Sequence, residues 1–80
     1  LIAAQIHKTL KYCQTNFNIE EISLLENKCF KLLKMKTNPE YFEIRNAANL
    51  SKEGDGHSKW RAFVASKVGD VRLIDNIALN

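Results

Sequence analysis

Apolar residues recur every three or four positions through the first third of the chain, and at every second position after residue 40. The first spacing is the period of a helix with one buried stripe, and it predicts a helix over residues 1 to 15. His7 lies off this stripe and is expected to be exposed. The stripe comprises Ile2, Ile6, Leu10, Cys13 and Phe17.

A second helix is predicted to begin just after residue 18. Asn18 stands as an N-cap, with Glu21 at the capping-box position three residues later. Phe17 and Ile22 are placed to form a hydrophobic staple across this helix start. The helix is expected to end before Pro39, which restricts the residue that precedes it. Its expected buried stripe comprises Ile22, Leu25, Cys29, Leu32 and Leu33.

Two strands are predicted from alternating segments separated by a polar stretch. Residues 41 to 45 alternate, with Phe42 and Ile44 on one face. Residues 59 to 68 form the second predicted strand. Its two faces carry Trp60, Ala62, Val64 and Ser66 on one side, and Arg61, Phe63, Ala65 and Lys67 on the other.

A hairpin turn at Gly69 and Asp70 leads into a last strand over residues 71 to 77. Glycine as the first residue of a two-residue loop is what a type II′ turn requires. One face of this strand then carries Leu73, Asp75 and Ile77, and the other Arg72, Ile74 and Asn76. Each apolar series thus contains a polar group. These groups either are satisfied at the sheet rim and in solvent or form a recognition ladder, and the first interpretation is preferred.

The predicted order is ααβββ, an α+β fold in which a helical hairpin packs on a three-stranded antiparallel sheet in two layers. With 80 residues, the chain is expected to form a single domain over residues 1 to 80. It begins inside an apolar pattern without a methionine, so we expect a piece of a longer protein.

The polar segment from residue 46 to residue 58 is predicted to be a surface loop, with residues 54 to 57 as its mobile tip. The Gly-Asp-Gly-His sequence of this tip could suggest a phosphate or metal loop. Asp55 and His57 alone are too few ligands for a metal ion, and the glycine spacing matches no nucleotide-binding pattern. A plain connection is therefore preferred.

The net charge of +3 is mildly basic, but basic and acidic residues are interleaved along the chain. The nearest approach to a basic cluster lies near the end of the second helix, where cations complement the helix dipole on a solvated face. This argues against nucleic-acid binding. The lysines in question are Lys28, Lys31, Lys34 and Lys36.

Cys13 and Cys29 fall on the two helix stripes and are predicted to be buried free thiols in a reducing compartment. The chain shows no nucleophile with a base, no phosphate-binding glycine loop and no metal-ligand set. No catalytic, cofactor-binding or metal-binding residue is therefore assigned. No segment has the length or composition of a membrane span or signal peptide, and a cytoplasmic binding, lid or accessory module is expected.

Two blocks in the second half resemble the end of the pantothenate synthetase (pantoate-beta-alanine ligase) family. The first is Tyr-Phe-Glu-Ile-Arg-Asn-Ala at residues 41 to 47, and the second runs from residue 59 to the Arg-Leu-Ile-Asp-Asn of residues 72 to 76. The chain departs from the family at Asn46, where Asp is usual, and at Asn49, where an acid or threonine is common. Family positions are matched by Arg45, Arg72, Asp75 and Asn76, which could either contact substrate or anchor the fold.

The resemblance implies a parent enzyme that uses ATP and Mg to convert pantoate into a pantoyl adenylate, which beta-alanine attacks to give pantothenate. It places the nucleotide site in an N-terminal Rossmann-like domain, and this chain in a C-terminal domain that closes as a lid. The parent is then expected to be a homodimer, and this piece an inactive monomer without bound cofactor. The alternatives are an independent small basic module that binds nucleic acid or protein, and a piece with only a structural role.

Overall fold

The computed structural model describes residues 2–80, which form two helices followed by a three-stranded sheet. The sheet is antiparallel throughout, in the order β1-β2-β3, and both helices cover one of its faces. The predicted two-layer α+β arrangement is confirmed. The elements are α1 (Ile2–Thr15), a 3-10 turn (Ile19–Glu21), α2 (Ile22–Lys34), β1 (Asn38–Asn46), β2 (Trp60–Val68) and β3 (Val71–Ala78).

The start of the second helical segment differs in detail from the predicted capping box. The Asn18 side chain accepts a hydrogen bond from the Glu20 N–H at 2.9 Å and caps the 3-10 turn, while α2 itself begins at Ile22. Glu21 makes no side-chain capping bond there. The reason is that a backbone bond from the Glu21 N–H to the Asn18 carbonyl, 3.0 Å long, closes the first turn more tightly than an α-helix would.

The core lies between the helical hairpin and the covered face of the sheet. Leu10 and Cys13 of α1 are at most 1% exposed, which confirms the centre of the stripe predicted for that helix, whereas Phe17 lies beyond the helix and is partly buried. In α2 the stripe narrows to every fourth residue, and Leu32 is 40% exposed, so its predicted burial was wrong. The remaining buried apolar side chains are Ile6, Leu25, Cys29, Leu33, Phe42, Ile44, Trp60, Ala62, Val64, Ala65 and Leu79.

Strand β1 begins three residues before the predicted strand and includes Pro39. Because β1 is an edge strand, the missing N–H of a proline is tolerated there. The pairing with β2 shifts by one residue between Pro39 and Tyr41, and beyond that shift Phe42 and Ile44 face the core as predicted. Helix α2 thus ends at Lys34, before Pro39 as predicted, and Pro39 lies inside the strand that follows.

The hairpin at Gly69 and Asp70 has the predicted type II′ character. Val68 pairs with Val71 across the two-residue loop, and the positive φ of 62° falls on Gly69 and not on Asp70. The register of β3 follows the predicted faces, since Leu73, Asp75 and Ile77 pair with buried residues of β2. Asp75 nevertheless stays exposed because β3 is the second edge of the sheet.

The two cysteine thiols meet between the helices. Cys13 and Cys29 are both free and fully buried, as the sequence pattern predicted. The neighbouring Cys29 thiol, together with burial, raises the pKa of Cys13 far above its ordinary value. These side chains act as core packing groups, and the thiol of Cys13 stays protonated at neutral pH.

Candidate functional site

The sheet surface opposite the helices, here called the open face, carries three of the four residues that match family positions. Arg45, Arg72 and Asn76 lie on this face, whereas Asp75 belongs to the opposite one. Arg45 pairs with Arg61 and Arg72 with Lys67, six residues apart on β2. At about 3.3 Å per residue this places the two arginines roughly 20 Å apart. The four residues are therefore not brought together into one site.

Arg45 is committed to contacts inside the domain. Its Nη1 donates to Glu26 Oε2 at 2.6 Å and to the Ile44 carbonyl at 2.8 Å, and its Nη2 donates to Glu43 Oε2 at 2.6 Å. Only 15% of the Arg45 side chain is exposed. The guanidinium is held between two carboxylates, so its role is to anchor strand β1 and helix α2 to each other.

Glu26 completes this anchor and was not identified from the sequence. Its Oε2 accepts from the Ile44 N–H at 2.6 Å as well as from Arg45, and 15% of its side chain is exposed. Strand β1 is an edge strand, so a helix carboxylate here supplies a partner for an N–H of the strand. The signal in the sequence was an acid directly beside the buried Leu25, but nothing there indicated its partner.

The polar groups of β3 are also paired within the domain. Arg72 donates from Nε to Glu40 at 2.7 Å, and its guanidinium lies 6.0 Å from the centre of the Tyr41 ring. The Asp75 carboxylate accepts from the Asn76 N–H at 2.8 Å, and the Asn76 amide oxygen accepts from Arg61. These contacts support the interpretation that the polar groups are satisfied at the sheet rim.

The loop between β1 and β2 is organised around Asn46, which is 9% exposed. Its Oδ1 accepts from the Ala48 N–H at 2.9 Å, which leaves Nδ2 to donate to the Glu53 carbonyl at 3.0 Å. A carboxylate could replace the first contact but not the second. The departure from the Asp that is usual in the resembled family is therefore matched by the path of this loop.

Replacing Asn46 with aspartate is expected to lower the free energy of unfolding by about 1–2 kcal/mol at neutral pH, because the new carboxylate faces the Glu53 carbonyl without a proton to donate. Only the protonated carboxyl could donate, so the deficit should shrink as the pH falls. Urea unfolding at several pH values measures this. The control is the same change at Asn49, whose Oδ1 only accepts a hydrogen bond, from the Ser51 N–H. A carboxylate can accept the same bond, so this variant should lose little stability. Equal losses at both positions would contradict this account.

Gly54 is exposed, but a side chain at this position would collide with its neighbours. A Cβ atom on Gly54 would lie 2.8 Å from Ser58 Oγ, 2.8 Å from Trp60 Cζ2 and 2.9 Å from Asn46 Nδ2. At Gly56, in contrast, a Cβ would meet nothing within 4 Å. The two glycines of the predicted tip therefore differ: Gly54 has no room for a side chain, and Gly56 has open space around it.

Substitution of Gly54 by alanine is expected to cost about 1–3 kcal/mol, because the added methyl group must displace the Trp60 ring or the Asn46 amide. The same substitution at Gly56 should be neutral or slightly stabilising, since it only restricts the unfolded chain. Thermal unfolding of the two variants gives the comparison. A Gly56 variant that loses as much stability as the Gly54 variant would show that the packing of Gly54 is not the cause.

The open face has a depression of about 350 Å³, and a larger one of about 390 Å³ lies beside the 3-10 turn. No group of three or more His, Cys, Asp or Glu side chains within residues 2–80 could hold a metal ion. His7 is exposed, as are Lys28, Lys31, Lys34 and Lys36, which confirms their predicted solvated positions. No helix within the described part of the chain is long and apolar enough to span a membrane.

Ion pairs of Arg45 with Glu26 and Glu43, and of Arg72 with Glu40, thus join elements of the domain. Comparison with known proteins gives this surface its context. The family model described as Pantoate-beta-alanine ligase matches residues 1–78. A pantothenate synthetase from Idiomarina loihiensis (strain ATCC BAA-735 / DSM 15497 / L2-TR) is 35% identical over 81 residues, covering 94% of this chain and 27% of that relative. The chain thus spans about a quarter of the relative's length, and it belongs to the pantoate-beta-alanine ligase family.

Proposed function

We propose that this chain is the C-terminal lid domain of an ATP-dependent ligase that condenses pantoate and beta-alanine to pantothenate through a pantoyl adenylate. The observation that carries the proposal is the family match over residues 1–78 of a chain that spans only 27% of a pantothenate synthetase. Because the chain covers only this part of the relative's length, we place the reaction centre elsewhere in the parent.

The nucleotide and its magnesium ion are assigned to the rest of the parent, in an N-terminal Rossmann-like domain. Residues 2–80 offer no group of three or more potential metal-ligating acids, cysteines or histidines. The arginines most suited to phosphate binding are already engaged, Arg45 with Glu26 and Glu43, and Arg72 with Glu40. These residues do not fit a nucleotide or metal site, and no step of the reaction is assigned to them.

A lid has to move as one body and keep its shape while it moves. The Glu26 and Arg45 pair ties the helical layer to the sheet, and Asn80 ties the end of the chain to the start of β2 through the Trp60 N–H at 2.8 Å. Closure of such a body over an acyl adenylate would exclude water that otherwise hydrolyses it. The function is gating, and the parent is proposed to be a cytoplasmic homodimer.

The test is to express the complete coding sequence that contains this chain and to assay pantothenate formation. We expect turnover that requires ATP, pantoate and beta-alanine together, and no turnover by the 80-residue chain under the same conditions. Omitting each substrate in turn provides the control. Turnover by the 80-residue chain alone, or a complete protein that forms no pantothenate, would overturn the proposal.

A further inference from the structure

An apolar groove of about 520 Å³ lies where the first turn of α1 meets the β2–β3 hairpin. All of its lining residues are apolar, and two of them are well exposed, Val68 at 37% and Val71 at 60%. An apolar concave surface of this size on a small domain indicates a contact that the domain makes with something else. The lining residues are Ile2, Ala3, Val68, Val71 and Leu73.

The position of the groove indicates what fills it. Ile2 and Ala3, at the start of α1, form part of its wall. Any polypeptide joined to the N-terminal side of α1 therefore leaves the helix at the rim of the groove. A segment tethered by a short linker has an effective concentration at the groove in the millimolar range. It therefore outcompetes a free partner of similar affinity that is present at a lower concentration.

A second copy of this chain fits the groove less well. A stable dimer interface uses about 20–30 residues from each partner, whereas this groove is lined by five, of which Ile2 and Leu73 already pack against the core. A short tethered segment needs no such area, because its association is intramolecular.

We infer that the groove receives apolar side chains from the segment of the parent protein that immediately precedes α1 and joins the lid to the rest of the enzyme. The inference rests on the proposed function, which supplies that preceding segment. This preceding segment then packs against the β2–β3 hairpin, so that the start of α1 and the β2–β3 turn move together when the lid closes.

The test is cysteine labelling in the complete parent protein. Val71→Cys places a thiol in the groove, and Leu50→Cys places one on the other side of the domain, beside the depression of the open face. The two positions are matched, because Val71 is 60% and Leu50 is 62% exposed in the domain itself. Cys13 and Cys29 are fully buried, and peptide mass spectrometry separates each labelled site from them.

With a maleimide reagent, we expect Val71→Cys to be labelled at least about tenfold more slowly than Leu50→Cys, each rate taken relative to the protein in denaturant. Equal relative rates would overturn the inference, as would protection that disappears on dilution, which would indicate a second copy. Pantothenate formation is assayed on both variants. If both make pantothenate and are labelled equally, the inference alone fails; if the parent makes none, the proposed function fails.

Discussion

Replacing Trp60 with alanine is expected to lower the free energy of unfolding by about 3–5 kcal/mol, the largest loss from a single position in this domain. Trp60 is 2% exposed, and its ring lies 6.4 Å from that of Phe17, centre to centre. Its Nε1 donates to the Asp55 carbonyl at 3.2 Å, so the same side chain fills the core and holds the loop. At roughly 0.05–0.15 kcal/mol per residue, a domain of this size has only about 4–12 kcal/mol in total.

The matched variant is Trp60→Phe, which keeps an aromatic ring in the core and removes the N–H donor to Asp55. Its loss should be about 1–2 kcal/mol, since it combines one hydrogen bond with a modest change in volume. Urea unfolding followed by far-UV circular dichroism measures both. An alanine variant that is no less stable than the phenylalanine variant would show that the aromatic ring at position 60 does not stabilise the core.

Replacing Glu26 with alanine is expected to cost about 2–4 kcal/mol, because the change removes the acceptor for both the Ile44 N–H and the Arg45 guanidinium. The loss should stay below that of a fully buried pair, since both side chains are 15% exposed and Arg45 retains Glu43. The measurement is the free energy of unfolding by urea titration at neutral pH.

Glu40→Ala is the control for this prediction, because Glu40 also pairs with an arginine at 2.7 Å but does so on the exposed rim. Exposed ion pairs contribute little to stability, so its loss should be much smaller than that of Glu26→Ala. Similar losses for the two variants would mean that the carboxylate of Glu26 has no special part in joining the helices to the sheet.

The fold could be predicted from the sequence wherever periodicity and turn chemistry agree. The stripe through Leu10 and Cys13 has the helical period, and the alternation around Ile44 has that of a strand. Gly69 marked the hairpin because a type II′ turn needs a positive φ at its first position. These signals are local, and local signals are present in the sequence itself.

The failures concern backbone geometry and side-chain packing, which hydrophobic periodicity does not encode. The 3-10 turn after Asn18 replaced the expected capping box, and Leu32 is exposed although it lies at the edge of the helix stripe. Gly54 was expected at a mobile tip, but it packs under Trp60. None of these outcomes follows from the spacing of neighbouring residues.

The residues that matched family positions could be identified from the sequence, but their roles could not. Arg45 could equally have faced a substrate, and only the position of Glu26, 19 residues earlier, shows that it holds the two layers together. Asn80 was likewise unremarked in the sequence, yet it closes the sheet by accepting from the Trp60 N–H and donating to the Ser58 carbonyl. Side chains on the other layer or at the far end of the chain supply these partners.

The proposed function gives this domain a gating role and leaves the chemistry to the remainder of the parent. Arg45 and Arg72 form ion pairs within the domain, and the pair of Arg45 with Glu26, which is partly buried, joins the sheet to the helices. Such a body can cover an active site without contributing a reacting group. If the domain has this proposed role, we expect its loss to let water reach the activated intermediate and to leave activation itself in place.

The most direct test of the lid is the ratio of AMP released to pantothenate formed, measured for the complete parent and for a variant that lacks this domain but still binds ATP. The complete enzyme should release one AMP for each pantothenate. In the shortened variant we expect AMP to exceed pantothenate, because water reaches the exposed adenylate before beta-alanine does. A shortened variant that binds ATP and keeps the two products equal would contradict the assignment of this domain as a lid.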